Sequence, residues 1–300
     1  STKEGAGKDS IELGYAGGSH HKSRADVILQ GGADQAGEPS YVVSSSYFET
    51  DGYRDHSAAR KVLSNAKLTW DLDDGSKVNW IVNHVDINAD DPQGLSRGQW
   101  QANPQQVNDA KNIYDVRKEI NQTQTGLTWT KPLNDRHELY AMAYAGQREV
   151  TQYQSTPSTS QILDPVNEQN KPYQAGGVID FDRSYYGTDL RWTGRELLPN
   201  TRLIAGLAFD AMDEERKGYE NFDAAGYGVK GALRRDENNR LWNLDPYLQA
   251  SWNFLPACAT AMCIINPGII ISKKRLTRPI KTMAMTAEKL TMTNCCLRQR

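Results

Sequence analysis

Apolar and polar residues trade places at every second position along much of this chain. Leu68, Trp70 and Leu72 share one parity against Lys67, Thr69 and Asp71, and Val78, Trp80 and Val82 repeat it after a four-residue break. Leu127 and Trp129 oppose Gln124 and Thr128. Leu203, Ala205, Leu207 and Phe209 oppose Arg202, Gly206 and Asp210, and Leu248, Ala250, Trp252 and Phe254 oppose Tyr247, Gln249 and Ser251. A period of two marks strands with unlike faces. The pattern predicts ten of them, near residues 9–16, 23–32, 41–49, 63–73, 77–88, 117–131, 136–153, 184–197, 201–216 and 240–254.

The connections alternate in length. Asp73-Asp74-Gly75-Ser76, Pro132-Leu133-Asn134-Asp135 and Leu198-Pro199-Asn200 are tight, and Asp-Gly is a favoured hairpin dipeptide. Polar stretches near 50–62, 89–116, 154–183 and 217–239 are long. Short turns at one end and long loops at the other are the pattern of an antiparallel up-and-down transmembrane β-barrel. Trp70, Trp80, Trp129, Trp192 and Trp252 all lie near short turns on the apolar parity, as a girdle at a membrane–water boundary requires. Trp242, near the other end of its strand, belongs to the second girdle. A soluble β-sandwich adhesin or lectin would also alternate, but it accounts neither for the loop asymmetry nor for the tryptophan level.

Bulk properties agree with a barrel. Mean hydropathy is -0.69, and no stretch approaches the roughly 20 apolar residues of a spanning helix. A barrel strand turns only alternate residues to lipid, so its average stays polar. The net charge of -2 gives no basic face for nucleic acid. The first residues, Ser1-Thr2-Lys3-Glu4-Gly5, do not read as an export signal, so the expectation is a chain that begins partway through its parent.

Composition breaks near residue 256. All four cysteines (Cys258, Cys263, Cys295, Cys296) and four of six methionines lie beyond it, whereas none of the 26 aromatics falls after Phe254. Residues 257–300 carry eight Lys or Arg against the single acid Glu288, a net +7, which leaves -9 for residues 1–256. The cysteines show no metal-ligand spacing, and the apolar run Ala257 to Ile271 is too short to span as a helix and contains Pro267. The expectation is two parts: a partial barrel over 1–256 and an unrelated tail over 257–300.

Several segments resemble TonB-dependent outer-membrane receptors of the ferric-siderophore type. Phe48-Glu49-Thr50-Asp51-Gly52-Tyr53-Arg54-Asp55-His56-Ser57-Ala58-Ala59-Arg60, followed by Asn65-Ala66-Lys67-Leu68, resembles an early hairpin of that barrel. Ile11-Glu12-Leu13-Gly14-Tyr15 with Arg24-Ala25-Asp26 is similar to the first strands after the plug domain. Leu244 to Trp252 (LDPYLQASW) resembles a later strand. The resemblance covers about residues 8–256. It implies energy-coupled uptake, ferric siderophores or similar small ligands as cargo, the TonB machinery acting through a plug, outer-membrane lipid around the barrel, and no cofactor. Read from a neighbouring base register, the codons of Leu290–Leu297 permit Asp-Tyr-Asp-Glu-Leu-Leu-Pro, which resembles the lead-in to a mid-barrel strand. The tail is therefore expected to be frameshift-derived. With about ten strands of some 22 and no plug, the expectation is a truncated fragment unable to transport.

Candidate chemistry is sparse, and no catalytic or metal residue is expected. Asp86, Asp90 and Asp91 offer oxygen ligands for calcium but lack an EF-hand spacing, so a solvated acidic loop is the plainer reading. His20-His21 has no third ligand nearby. Arg148 either faces the lumen toward an anionic ligand, pairs with Glu149 or Glu138, or lies at headgroups. His84 and Asp86 suit a ten-stranded outer-membrane protease, but they share the parity of Val78, Trp80 and Val82, which should point to lipid. Which residues bind the ligand is not legible.

Overall fold

The computed structural model describes residues 5, 7–32, 37–108, 112–161, 176–255, 258–265 and 269–276. Strands β1 (Ser10–Gly17), β2 (Ser23–Gly31), β3 (Pro39–Thr50), β4 (Ala59–Asp71), β5 (Lys77–Asp90), β6 (Arg117–Asn134), β7 (His137–Tyr153), β8 (Val178–Arg195) and β9 (Thr201–Tyr219) pair in chain order. A two-strand ladder, β10 (Phe222–Asp223) with β11 (Gly226–Tyr227), forms within the next loop, and β12 (Leu233–Leu255) then pairs with β9. Every pairing is antiparallel. All ten strands expected from the alternation are present.

The composition break does not end the sheet. Strands β13 (Cys258–Ile265) and β14 (Ile269–Leu276) both pair with β12 in the same register, β13 from Leu255↔Cys258 to Leu248↔Ile265 and β14 from Leu244↔Ile269 to Glu237↔Leu276. Cys295, Cys296 and the segment Leu290–Leu297 lie outside the described residues. Among the described residues the sheet is open, with β1 at one edge and β13 and β14 along the free side of β12.

The tight turns close as their residues dictate. Gly75 takes φ 75°, a region that only glycine enters without strain. Asp74 Oδ1 accepts from the Ser76 amide at 2.9 Å, and the Asn134 side chain accepts from the amides of Arg136 and His137 at 2.9 and 3.0 Å. Asx side chains reproduce backbone turn bonds in this way.

The ladders assign each side chain to a face. One row runs Trp70–Val78–Trp129–Ala141–Leu190–Leu207–Pro246. By alternation Trp80, Trp192, Trp242 and Trp252 share this tryptophan face. On β12 its apolar positions run from Trp242 to Trp252, ten residue steps, or about 26 Å after allowing for strand rise and a tilt near 40°. That matches the ~25 Å apolar band of membrane barrels.

Toward the long loops the same face changes character. The row Ser64–His84–Thr123–Gln147–Ser184–Asp213–Arg240 is polar throughout, and the next contains Asp86, Asn121, Glu149, Asp182 and Glu215. Strands β6 to β9 hold 17 to 19 residues, well beyond the roughly 9–11 that cross a bilayer. The sheet thus rises past its apolar band and is wet on both faces there.

Four cross-strand pairs on the opposite face match a tyrosine with a glycine, three of them closely packed: Tyr144↔Gly187, Tyr185↔Gly146 and Tyr247↔Gly206. Each ring lies over the glycine: a Cβ on Gly146 would stand 2.5 Å from Tyr185, and one on Gly206 2.2 Å from Tyr247. At Gly187 a Cβ would also meet the Phe209 carbonyl oxygen at 2.7 Å, which cannot rotate away. Gly187→Ala is expected to lower stability by about 1–3 kcal/mol, the usual range for overpacking. Urea unfolding followed by tyrosine and tryptophan fluorescence checks this, and an unchanged midpoint would show that the rings are not seated there.

Candidate binding face and loop cluster

Two regions gather polar chemistry. The first is the face opposite the tryptophans. Tyr144 hydroxyl donates to Asp210, Tyr247 hydroxyl to Asp189 Oδ1 at 2.9 Å, and Tyr185 hydroxyl to Gln124 Oε1 at 2.9 Å. Arg183 meets Glu214, whose other oxygen accepts from Asn239 at 3.1 Å. Arg191 stacks on Tyr140 at 4.3 Å. The result is a wall of hydroxyls, carboxylates and guanidinium groups with aromatic planes between them.

Arg148 belongs to this wall. Its Nη1 donates to Gln122 Oε1 at 3.2 Å. Glu149 points to the tryptophan face by alternation, and Glu138 is taken by Arg195 at 2.8 Å. Nε of Arg148 and Nε of Arg191 are buried atoms without a hydrogen-bond partner among the described residues. The register thus sets Arg148 on the face opposite the tryptophans, with Gln122 as its partner and neither Glu149 nor Glu138.

The second region is a clasp among three long loops. Asn221 is fully buried. Its Nδ2 donates to the carbonyls of Tyr114 at 2.8 Å and Gln154 at 3.1 Å, and its amide donates to Gln161 Oε1 at 2.7 Å. Tyr227 packs edge-on against Tyr114 at 5.3 Å, and Arg117 lies 3.6 Å over the Tyr153 ring. Tyr114 hydroxyl also accepts from the Ser158 amide at the start of helix α2 (Ser158–Gln161). The loop after β5 carries helix α1 (Arg97–Ala102), closed by a capping box between Ser96 and Gln99. Arg54 ties the β3–β4 loop to it through the carbonyls of Pro92, Gln93 and Gln106 at 2.7 to 3.1 Å.

The other sequence candidates do not converge. Asp86 accepts from Asn88 and Asn121, while Asp91 closes a turn through the Gln93 amide at 2.8 Å. No group of three or more His, Cys, Asp or Glu among the described residues is placed to hold a metal. His84 bonds Thr123 Oγ1 at 2.9 Å, and Asp86 follows two positions on along the same face. Both share the face of Val78, Trp80 and Val82, but their rows are polar and lie on the long-loop side of the apolar band.

His20 and His21 occupy left-handed positions in the β1–β2 turn, with His20 against Tyr53 and His21 bonded to Asp51. The bond to Asp51, and then its charge, raise the His21 pKa above the ordinary 6.5. A raised value means the turn-to-loop tie is fully present below pH 6.5 and is lost as pH rises through the folded-state value. Amide exchange in residues 18–22 is therefore expected to quicken on going from pH 6 to pH 9, once corrected for intrinsic base catalysis. In His21→Gln the corrected rates should be flat, and a flat profile in the unmodified chain would remove the tie.

No protein-family model matches the sequence. Solved structures do share the fold. BauA, the ferric preacinetobactin receptor from Acinetobacter baumannii, matches with a TM-score of 0.66 at 11% identity over 91% of this chain. P. aeruginosa FpvA bound to pyoverdines matches with 0.65 at 12% over 92%, and the ferric citrate transporter FecA with 0.55 at 16% over 90%. The chain spans 39% to 45% of the length of these three. At such identities the likeness is one of fold: this sheet has the fold of part of the β-barrel seen in those ferric-siderophore receptors.

Proposed function

We propose that the chain is the front portion of a TonB-dependent outer-membrane receptor for a ferric siderophore, acting by binding and uptake rather than by enzymatic catalysis. The observation that carries this reading is the two-faced sheet, with a tryptophan-bordered apolar band on one side and Arg148, Arg183, Arg191 and tyrosines on the other. An anionic ferric chelate needs cationic and aromatic contacts, and that wall offers both. The TonB machinery would act through a plug contributed by the parent protein. The open edges leave backbone groups that water cannot satisfy in lipid, so we infer that the fragment does not transport by itself.

Residues 1–256 are read as the partial barrel and 257–300 as the product of a shifted frame, on compositional grounds. Sequencing the gene downstream of codon 256 tests this: an uninterrupted receptor sequence should continue in a different reading frame, and its absence defeats the idea. For uptake, an iron-starved Gram-negative host lacking its own receptors should grow on ferric siderophore with the restored parent but not with this chain. Growth with this chain alone would overturn the inferred incompetence. Failure of the restored parent on every ferric siderophore tried would overturn the cargo class.

A further inference from the structure

The tryptophan face carries a hollow of about 650 Å³ where the apolar band is not filled. Its floor is small (Thr125, Ala143 and Ala145), and Trp70, Trp80 and Leu127 stand around it. Trp80 Nε1 donates to Thr125 Oγ1 at 2.8 Å, which fixes that ring at one side. Four residues beyond Leu127 on β6, toward the short turns and on the same face, is Lys131. Its Nζ lies 2.6 Å from Asp74 Oδ2, and the two side chains are 31% and 52% exposed. A Cβ on Gly75 would lie 3.5 Å from Pro132, so the turn bearing Asp74 rests against β6. An apolar slot and an accessible plus–minus pair are thus aligned about 14 Å apart.

We propose that this is a site for one phospholipid with a phosphoethanolamine headgroup. An acyl chain fills the hollow, the phosphate meets Lys131 and the primary ammonium meets Asp74. The inference rests on the membrane-embedded reading given above. Charge complementarity selects the occupant. A purely anionic headgroup meets Lys131 but is repelled by Asp74, and a purely cationic one meets the reverse. A zwitterion with donor N–H groups satisfies both, and exchanges one exposed ion pair for two.

The full chain in phosphatidylcholine vesicles, doped with dibrominated phosphatidylethanolamine or dibrominated phosphatidylglycerol, tests the site through tryptophan quenching. The ethanolamine lipid should reach half-quenching at about threefold lower mole fraction, the size of one exposed ion pair. Trp80→Phe should remove part of that preferential signal, Lys131→Met should abolish the preference, and Lys131→Arg should keep it. Ala143→Leu, which fills the floor without touching either charge, should weaken quenching by the ethanolamine lipid. Equal quenching by both lipids overturns the site and leaves the membrane reading intact, as does a preference that survives both Lys131→Met and Ala143→Leu. No quenching by any brominated lipid overturns both.

Discussion

Replacing Leu207 by arginine is expected to cost about 2–4 kcal/mol when the chain is embedded in a bilayer. Leu207 sits opposite Pro246 and Leu190 on the tryptophan face and is 40% exposed. Pro246 lies four residues from Trp242 and six from Trp252, so this level is close to the middle of the apolar band. A guanidinium there must leave water or drag water inward. The matched control is Ser184→Arg on the same face, in the polar row beside Asp213. It should change stability by no more than about 0.5 kcal/mol, as exposed substitutions usually do. Urea unfolding in vesicles compares the two. If Leu207→Arg is as mild as Ser184→Arg, that face does not meet lipid and the barrel assignment loses its physical basis.

The second large effect is expected in the loops. Asn221→Ala removes both side-chain bonds that tie the β9–β12 loop to the carbonyls of Tyr114 and Gln154. Each orphaned carbonyl costs about 1–3 kcal/mol where water cannot replace the lost donor. The clasp should open by about 2–4 kcal/mol, with the sheet below unaffected. Hydrogen exchange separates the two: protection should fall in residues 112–116, 154–161 and 220–228 and persist in β6 to β9. Asn221→Asp keeps the shape but loses the two donors, and should show the same loss. Protection unchanged in both variants would mean that the loops are held by their aromatic contacts alone.

Much of the sheet was legible because one face is apolar and the other is not. Leu68, Trp70 and Leu72, or Leu248, Ala250 and Trp252, announce their strands wherever that contrast exists. The expected starts of β8 and β12 fell six and seven residues late, at 184 and 240 instead of Val178 and Leu233. Those segments rise above the apolar band, where Asp180 and Asp182 or Asp236 and Asn238 stand on the tryptophan face. With both faces wet, alternation carries no signal. The same change of character puts His84 on the parity of Val78 and Trp80 but in a polar row of that face.

The candidate site was legible only in part. Arg148 stood out by composition, but choosing among its partners required the register that sets Glu149 on the other face. The Tyr–Gly pairs are invisible until strands are aligned, since Gly206 and Tyr247 are 41 residues apart. Asn221 draws on partners 60 to 107 positions away, with no local pattern to betray it. The Ser96–Gln99 capping box, by contrast, is a local signal of four residues, and reading for it would have placed helix α1 inside the β5–β6 loop.

The polar upper third of β8 sets a stand-off height. From Tyr186 to Val178 the strand continues for eight residues, about 20 Å once tilt is allowed for. On the proposed membrane reading, the clasped loops are therefore mounted on a stiff, hydrogen-bonded parapet above the headgroups. Were the chain inserted in an outer membrane as proposed, a peptide tag grafted beside Trp100 would be displayed clear of the bilayer, within reach of an antibody on intact cells.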